Sequence, residues 1–267
     1  MSTRIRVMRA VIVCLLMAAI VPAALAQRVP ANWKQIGDDG DWEGTVAMTG
    51  MDGSLWSVEA DGSLFRTDRR GGYEQIGPAG AFSGVTMLEA LDGSLYTIEN
   101  GTLYRTDPRA KRWQQLGKSG DWNNVVAMVG MGGFLWSLES DGTLYKTNKR
   151  GEYERVGPEG AFADVSHLAA TRGKLWTIEG GTLYATDPAR GRWRQVGKRG
   201  VWARSIGLTA SNGVLWSIQK DGTLYKIDES GEYTQVGGRG EYAGTEMLLA
   251  FEGKLYTVES GTLYATR

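Results

Sequence analysis

From residue 33 onward, apolar and polar residues alternate in short runs, and each run stops at a turn rich in Gly. Alternation with a two-residue period, bounded by Gly, predicts strands and hairpins and not helices. The runs also recur. Trp33, Tyr73, Trp113, Tyr153, Trp193 and Tyr233 stand in the same context at intervals of 40 residues, each followed four positions on by Gly, from Gly37 to Gly237. A second Gly comes three residues later, and two positions after it an aromatic: Trp42, Phe82, Trp122, Phe162, Trp202 and Tyr242. Then come an apolar segment, a Leu-Trp or Leu-Tyr pair ending at Trp56, Tyr96, Trp136, Trp176, Trp216 and Tyr256, and a last run such as Thr143-Leu144-Tyr145.

Each repeat thus holds four strands. Six such units of about 40 residues predict an all-β chain folded as a six-bladed β-propeller, four strands per blade. The chain ends on Thr262 to Arg267 with no further copy of the opening strand. Residues 33–37 are therefore expected to complete the last blade, closing the ring and removing the open sheet edges between first and last blades. Odd repeats turn through Ala60-Asp61-Gly62 or its equivalents. Even repeats use Asn100-Gly101, Gly180-Gly181 and Ser260-Gly261, which is two-residue hairpin chemistry. The alternation makes an 80-residue pair present three times.

Composition agrees. Gly accounts for 38 of 267 residues, and each Gly inside a helix costs about 1 kcal/mol relative to Ala. Apolar residues at 42% and aromatics at 10% suffice for a core, and the Gly has no three-residue period, so disorder and collagen are excluded.

Residues 1–26 read as a secretory signal peptide: Arg4, Arg6 and Arg9, an apolar run from Ala10 to Ile20, and Ala24-Leu25-Ala26 as cleavage site. The remaining chain, 27–267, is expected to be the propeller, with repeats starting at 33, 73, 113, 153, 193 and 233 and no membrane span. Three of the 30 basic residues and none of the 30 acidic ones leave with the leader, so the balance becomes 27 − 30 = −3. No broad basic field for nucleic acid is implied. The lone Cys14 lies in the leader, and export without disulfides leaves stability to packing. A periplasmic or secreted bacterial protein fits this pattern.

Candidate chemistry is sparse, and no metal or cofactor is implied. The single His, His167, aligns with Ala47, Met87, Ala127, Gly207 and Met247 on an inner strand, which reads as a packed or channel-facing ring. A channel enzyme using Glu246 and His167 is the reading that catalysis would require. Gly238-Arg239-Gly240-Glu241-Tyr242-Ala243 matches a dinucleotide fingerprint but is one copy of a sixfold loop. Asp61, Asp141 and Asp221 read as turn residues and not calcium ligands. The carboxylates Glu59, Glu99, Glu139, Glu179 and Glu259, with Gln219 in repeat 5, could suggest glycosidase chemistry. Copying with the scaffold favours a structural role, such as hydrogen bonds to turn amides. Basic residues between the third and fourth strands, among them Arg69, Arg109, Lys111, Lys149 and Arg192, share their loops with Asp68, Asp107, Glu152 and Glu229, a mixed solvated rim.

The aromatic loops Gly40-Asp41-Trp42-Glu43 and Gly120-Asp121-Trp122-Asn123 remain. Their rings can serve as platforms for the C–H faces of sugars, or as wedges between blades, and the roles are compatible. Repetition of such a site would add avidity on a glycan-coated surface.

The stretch Ile36 to Arg66, reading I-G-x-x-G-x-W, then G-x-L-[WY]-[ST]-[VI], then D-G-[ST]-L-[FY]-[RK], resembles the repeat of the tachylectin family of propeller lectins. Its opening strand is similar to tectonin repeats, which act in recognition of microbial glycans. The resemblance spans nearly all of 33–267 and implies binding of amino-sugar or related glycans in the blades, without catalysis. By the D-W-[EN] loop it assigns carbohydrate to Asp41, Trp42, Glu43, Asp121, Trp122 and Asn123. Trp202 follows in Val201-Trp202-Ala203-Arg204, where the flanking residues depart from the pattern, as Ala-Phe does in repeats 2 and 4. The expectation is an exported, non-catalytic lectin-like propeller; the alternative is a periplasmic scaffold that binds protein partners on one face.

Overall fold

The computed structural model describes residues 32–108 and 112–267. The expected signal peptide, and Arg109 and Lys111 of the rim, lie outside the described residues. Six four-stranded antiparallel sheets make up the fold. Blade 1 runs outward in chain order as Thr45–Met51, Ser54–Glu59, Leu64–Thr67 and Tyr73–Ile76, and the later blades repeat this order. The innermost strands of neighbouring blades contact one another all the way round, Thr45–Met51 meeting Thr245–Phe251 of blade 6. The chain is a β-propeller.

Closure follows the expected route. Trp33–Ile36 forms the outer strand of blade 6, with Trp33 opposite Thr266 and Ile36 opposite Leu263. The amide of Arg267 donates to the carbonyl of Asn32 at 2.9 Å, one step beyond the ladder.

Both faces of every sheet press against a neighbour, which is why a middle strand such as Ser54–Glu59 is buried along nearly its whole length. Among the described residues the core is accordingly six clusters, each bridging two blades. One joins Val58 and Leu64 of blade 1 to Phe82, Leu88 and Leu95 of blade 2; another joins Leu55 of blade 1 to Tyr256, Val258 and Leu263 of blade 6. Every innermost strand carries a bulge after its first residue, between Thr45 and Ala47 and at the equivalent place in the other blades. The even outer hairpins turn with positive φ at both residues, as at Asn100 (47°) and Gly101 (71°). In the odd blades an Asp side chain builds the turn: the amides of Ser63 and Thr143 donate to Asp61 and Asp141 Oδ1, both at 2.8 Å.

The mixed rim has a pattern too. The outer loop of each odd blade reaches back to the inner hairpin of the preceding even blade: Arg69 pairs with Glu252, Lys149 with Asp92 at 2.5 Å, and Glu229 with Arg172 at 3.2 Å. The charge polarity reverses in the third pair, so the contact is kept while its residues change.

Candidate binding site between the blades

The loop entering each blade carries the repeated aromatic into a seam. Trp42, Trp122 and Trp202 are 3%, 5% and 3% exposed. Their backbone amides donate to Gly261, Gly101 and Gly181 of the preceding blade, at 2.9, 3.0 and 2.9 Å. Of the two roles open to these rings, the wedge describes their position, because each indole packs in a cluster drawn from two blades. Glu43 and Asn123, one position on, lie against Gly261 and Gly101. The Asp41 and Asp121 side chains accept from the amides of Asp38 and Lys118 at 3.0 and 3.2 Å, so both first brace their own loop.

Beside the wedge of blade 1 lies a cavity of about 410 Å³. Ser57 is opposite Phe65, and Thr67 is opposite Tyr73, so these four side chains share one face of the sheet with Glu59. Asp41, Trp42, Glu43, Gly44, Ala60 and Asp61 complete the lining. Tyr73 is 58% exposed and meets Phe65 edge to face, ring centroids 6.0 Å apart. In blade 3 the same positions hold Trp122, Tyr145, Tyr153 and Glu139, but Trp122 and Tyr153 are in ring contact at 5.6 Å and the cavity is about 60 Å³. In blade 5 Trp202, Tyr225 and Tyr233 pack mutually at 5.2 to 5.8 Å, and Gln219 replaces the carboxylate. The outward-facing aromatics Tyr73, Tyr153 and Tyr233 did not emerge as candidates in the sequence. Their signal was the Tyr that opens repeats 2, 4 and 6, read there only as a mark of the frame.

The recurring carboxylates are part-buried at the ends of the second strands, and Glu259 is buried. Glu59 accepts from the Thr45 hydroxyl at 2.8 Å, while its Oε2 is buried with no hydrogen-bond partner. Burial is the largest influence on Glu59, Glu99, Glu139 and Glu179 and pushes each carboxyl above its usual range. Glu259, bonded by the Thr257 hydroxyl at 2.8 Å, is pushed up to about 7. The expected partners were turn amides; the observed ones of Glu59, Glu99, Glu179 and Glu259 are strand hydroxyls. Side chains two residues apart, such as Thr97 and Glu99, point to the same face and meet.

The channel pair does not assemble as neighbours. His167 lies on Val165–Thr171, its Nδ1 at 2.8 Å from the Ser166 hydroxyl, and burial pushes its pKa down. Glu246 lies exposed on Thr245–Phe251, and the strand Ser205–Ser211 of blade 5 stands between. Among the described residues, no group of three or more His, Cys, Asp or Glu is placed to hold a metal ion.

No protein-family model and no curated protein matches the chain. Solved structures do. A streptogramin B lyase aligns at a TM-score of 0.60 and 10% identity, covering 88% of this chain and 97% of its own. Virginiamycin B lyase from Staphylococcus aureus aligns at 0.58 and 16%, covering 86% and 81%; YCF48 bound to D1 peptide aligns at 0.55 and 14%, covering 88% and 96%. At these identities the likeness is one of fold. It corrects one expectation all the same. Two of these neighbours are lyases, so this architecture carries enzyme chemistry elsewhere, and the expected absence of catalysis does not stand.

Proposed function

We propose that this chain is an exported carbohydrate-binding propeller that takes sugar residues into the inter-blade pockets of its odd blades, blade 1 foremost. The observation that carries this reading is the 410 Å³ cavity in which the exposed ring of Tyr73, with Phe65 beside it, faces a polar rim of Ser57, Glu59 and Asp41. A sugar offers flat C–H faces to aromatic rings and hydroxyls to such acceptors, and a cavity of this size holds one or two residues of a glycan. The resemblance to tachylectin and tectonin repeats supports the same reading, and the leader-like residues 1–26 support export to where surface glycans are found. The copy in blade 3 is narrower, and in blade 5 the three rings pack on one another; both would add avidity where ring movement opens them.

A glycan array probed with the chain tests the proposal, followed by Tyr73→Ala and Tyr153→Ala. Selective retention of a glycan, lost on Tyr73→Ala with folding intact, is expected. Absence of any glycan signal, or retention indifferent to both changes, overturns it.

A further inference from the structure

We infer that the sugar taken by blade 1 carries a free, protonated amino group. The inference rests on the carbohydrate reading of this pocket and specifies the chemistry of its ligand. Four carboxylates, Asp41, Glu43, Glu59 and Asp61, line the cavity, and among the described residues no Lys or Arg does. Two of the four are committed locally: Asp41 accepts from the amide of Asp38, and Asp61 from that of Ser63. They supply field more than bonds. Glu59 differs, since its Oε2 is buried and lacks a donor. A buried acceptor without a partner is costly, and a turn of the Glu59 side chain that brings Oε2 to the cavity lets an ammonium, with three N–H donors and a full charge, relieve it best.

The aromatic wall points the same way. The faces of Phe65 and Tyr73 attract a cation lying over them, which neutral hydroxyls do not exploit. An acetamido group would bring one N–H and a carbonyl oxygen, and the latter would meet carboxylates. An inorganic ion is disfavoured, because no group of residues among those described has metal-holding geometry. The other odd blades each lack part of this set, Asn123 standing for Glu43 in blade 3, and Val201 and Ala203 for Asp41 and Glu43 in blade 5. Blade 3 keeps Asp121 and Glu139 but has about 60 Å³ of space; blade 5 has Gln219, and its Asp221 is paired with Arg239 at 3.3 Å. Volume, negative charge and aromatic faces coincide in blade 1.

Titration calorimetry of the full chain with glucosamine oligomers and with N-acetylglucosamine oligomers of the same length tests this, in parallel with Glu59→Gln. The fold already accepts an amide at the equivalent position, Gln219, and circular dichroism verifies folding; if Glu59→Gln fails that check, Glu43→Gln on the exposed rim takes its place. The glucosamine oligomers are expected to bind about tenfold or more tightly, with the preference weakened by salt and removed by the substitution. Equal or tighter binding of the N-acetylated series, or a preference untouched by the substitution, overturns the inference while the carbohydrate reading stands. Binding of neither series in this assay, nor of any glycan on the array, removes both. Oligolysine binding as tightly as glucosamine oligomers would assign the pocket to basic peptide and overturn the inference.

Discussion

The amide of Trp42 donates to the carbonyl of Gly261 across 2.9 Å, fastening the loop that enters the first blade to the last hairpin of the sixth. The same bond joins Phe82 to Gly62, Trp122 to Gly101, Phe162 to Gly142, Trp202 to Gly181 and Tyr242 to Gly222, at 2.9 to 3.0 Å. Six seams thus share one fastening, and the acceptor is Gly each time for two reasons. Its φ is positive, +73° at Gly261, and a Cβ there would sit 3.0 to 3.1 Å from the backbone and Cβ of Glu43.

Gly261→Ala is therefore expected to cost more than an ordinary left-handed Gly. Gly253, with φ +77° and nothing within 4 Å of an added Cβ, supplies the comparison. Gly253→Ala should destabilise by about 1 kcal/mol from backbone strain alone, and Gly261→Ala by about 2–3 kcal/mol. Denaturant midpoints measure both; equal costs would mean the seam tolerates a side chain.

Trp42 and Tyr73 line one pocket but should respond differently to truncation. Trp42→Ala empties a buried seam and is expected to cost about 3–5 kcal/mol, so any loss of ligand would be inseparable from loss of fold. Tyr73→Ala removes an exposed ring and should stay within about 1 kcal/mol of the parent chain in thermal unfolding.

Removal of residues 27–37 should leave the strand Thr262–Thr266 as an open edge. A lowered melting temperature with concentration-dependent association is expected, since an unpaired edge recruits other chains. Trp33→Ala is the milder form, removing a buried ring whose Nε1 donates to the Tyr242 hydroxyl at 3.0 Å. A truncated chain that stays monomeric with unchanged melting would contradict the closure energetics.

The contribution of Glu259 to stability should fall as pH rises from about 4.5 to 7, against an opposite one from His167, whose pKa burial lowers. The Glu259 carboxyl is raised from 4.5 to about 7 by burial, so across that window the folded chain keeps a proton that the unfolded chain releases. The stabilisation is full below the lower value and lost above the upper one. Glu259→Gln should flatten this fall by about 2–3 kcal/mol when urea midpoints are compared at the two ends of the window. A remainder is expected from Glu89, also raised to about 7 by burial and bonded by the Gly130 amide at 2.9 Å. An undiminished slope in the variant would show that Glu259 titrates normally.

The ring was legible from the chain because its determinants are local and periodic. Alternation with period two writes the strands, Asp61-Gly62 and Asn100-Gly101 write the turns, and a 40-residue recurrence writes the blades and the role of 33–37 in closing them. The pocket was legible only in part. The D-W-[EN] loop leads to the seams that border cavities in blades 1 and 3, yet Trp42 and Tyr73 are both repeated aromatics next to a Gly-rich turn, and nothing in their local context separates a buried ring from an exposed one. That is settled by how much of each ring the neighbouring sheet covers, a property of two blades and not of one repeat. The same holds for size: near-identical loops border about 410 Å³ in blade 1 and about 60 Å³ in blade 3, where Trp122 and Tyr153 are in ring contact across the gap. The sequence by itself determined the repeat, the number of blades and the closing strand, since each depends on short-range backbone preferences. Only the tertiary structure decided which aromatic faces solvent, which carboxylate is left without a donor and which seam is open, since these depend on packing between segments far apart in the chain.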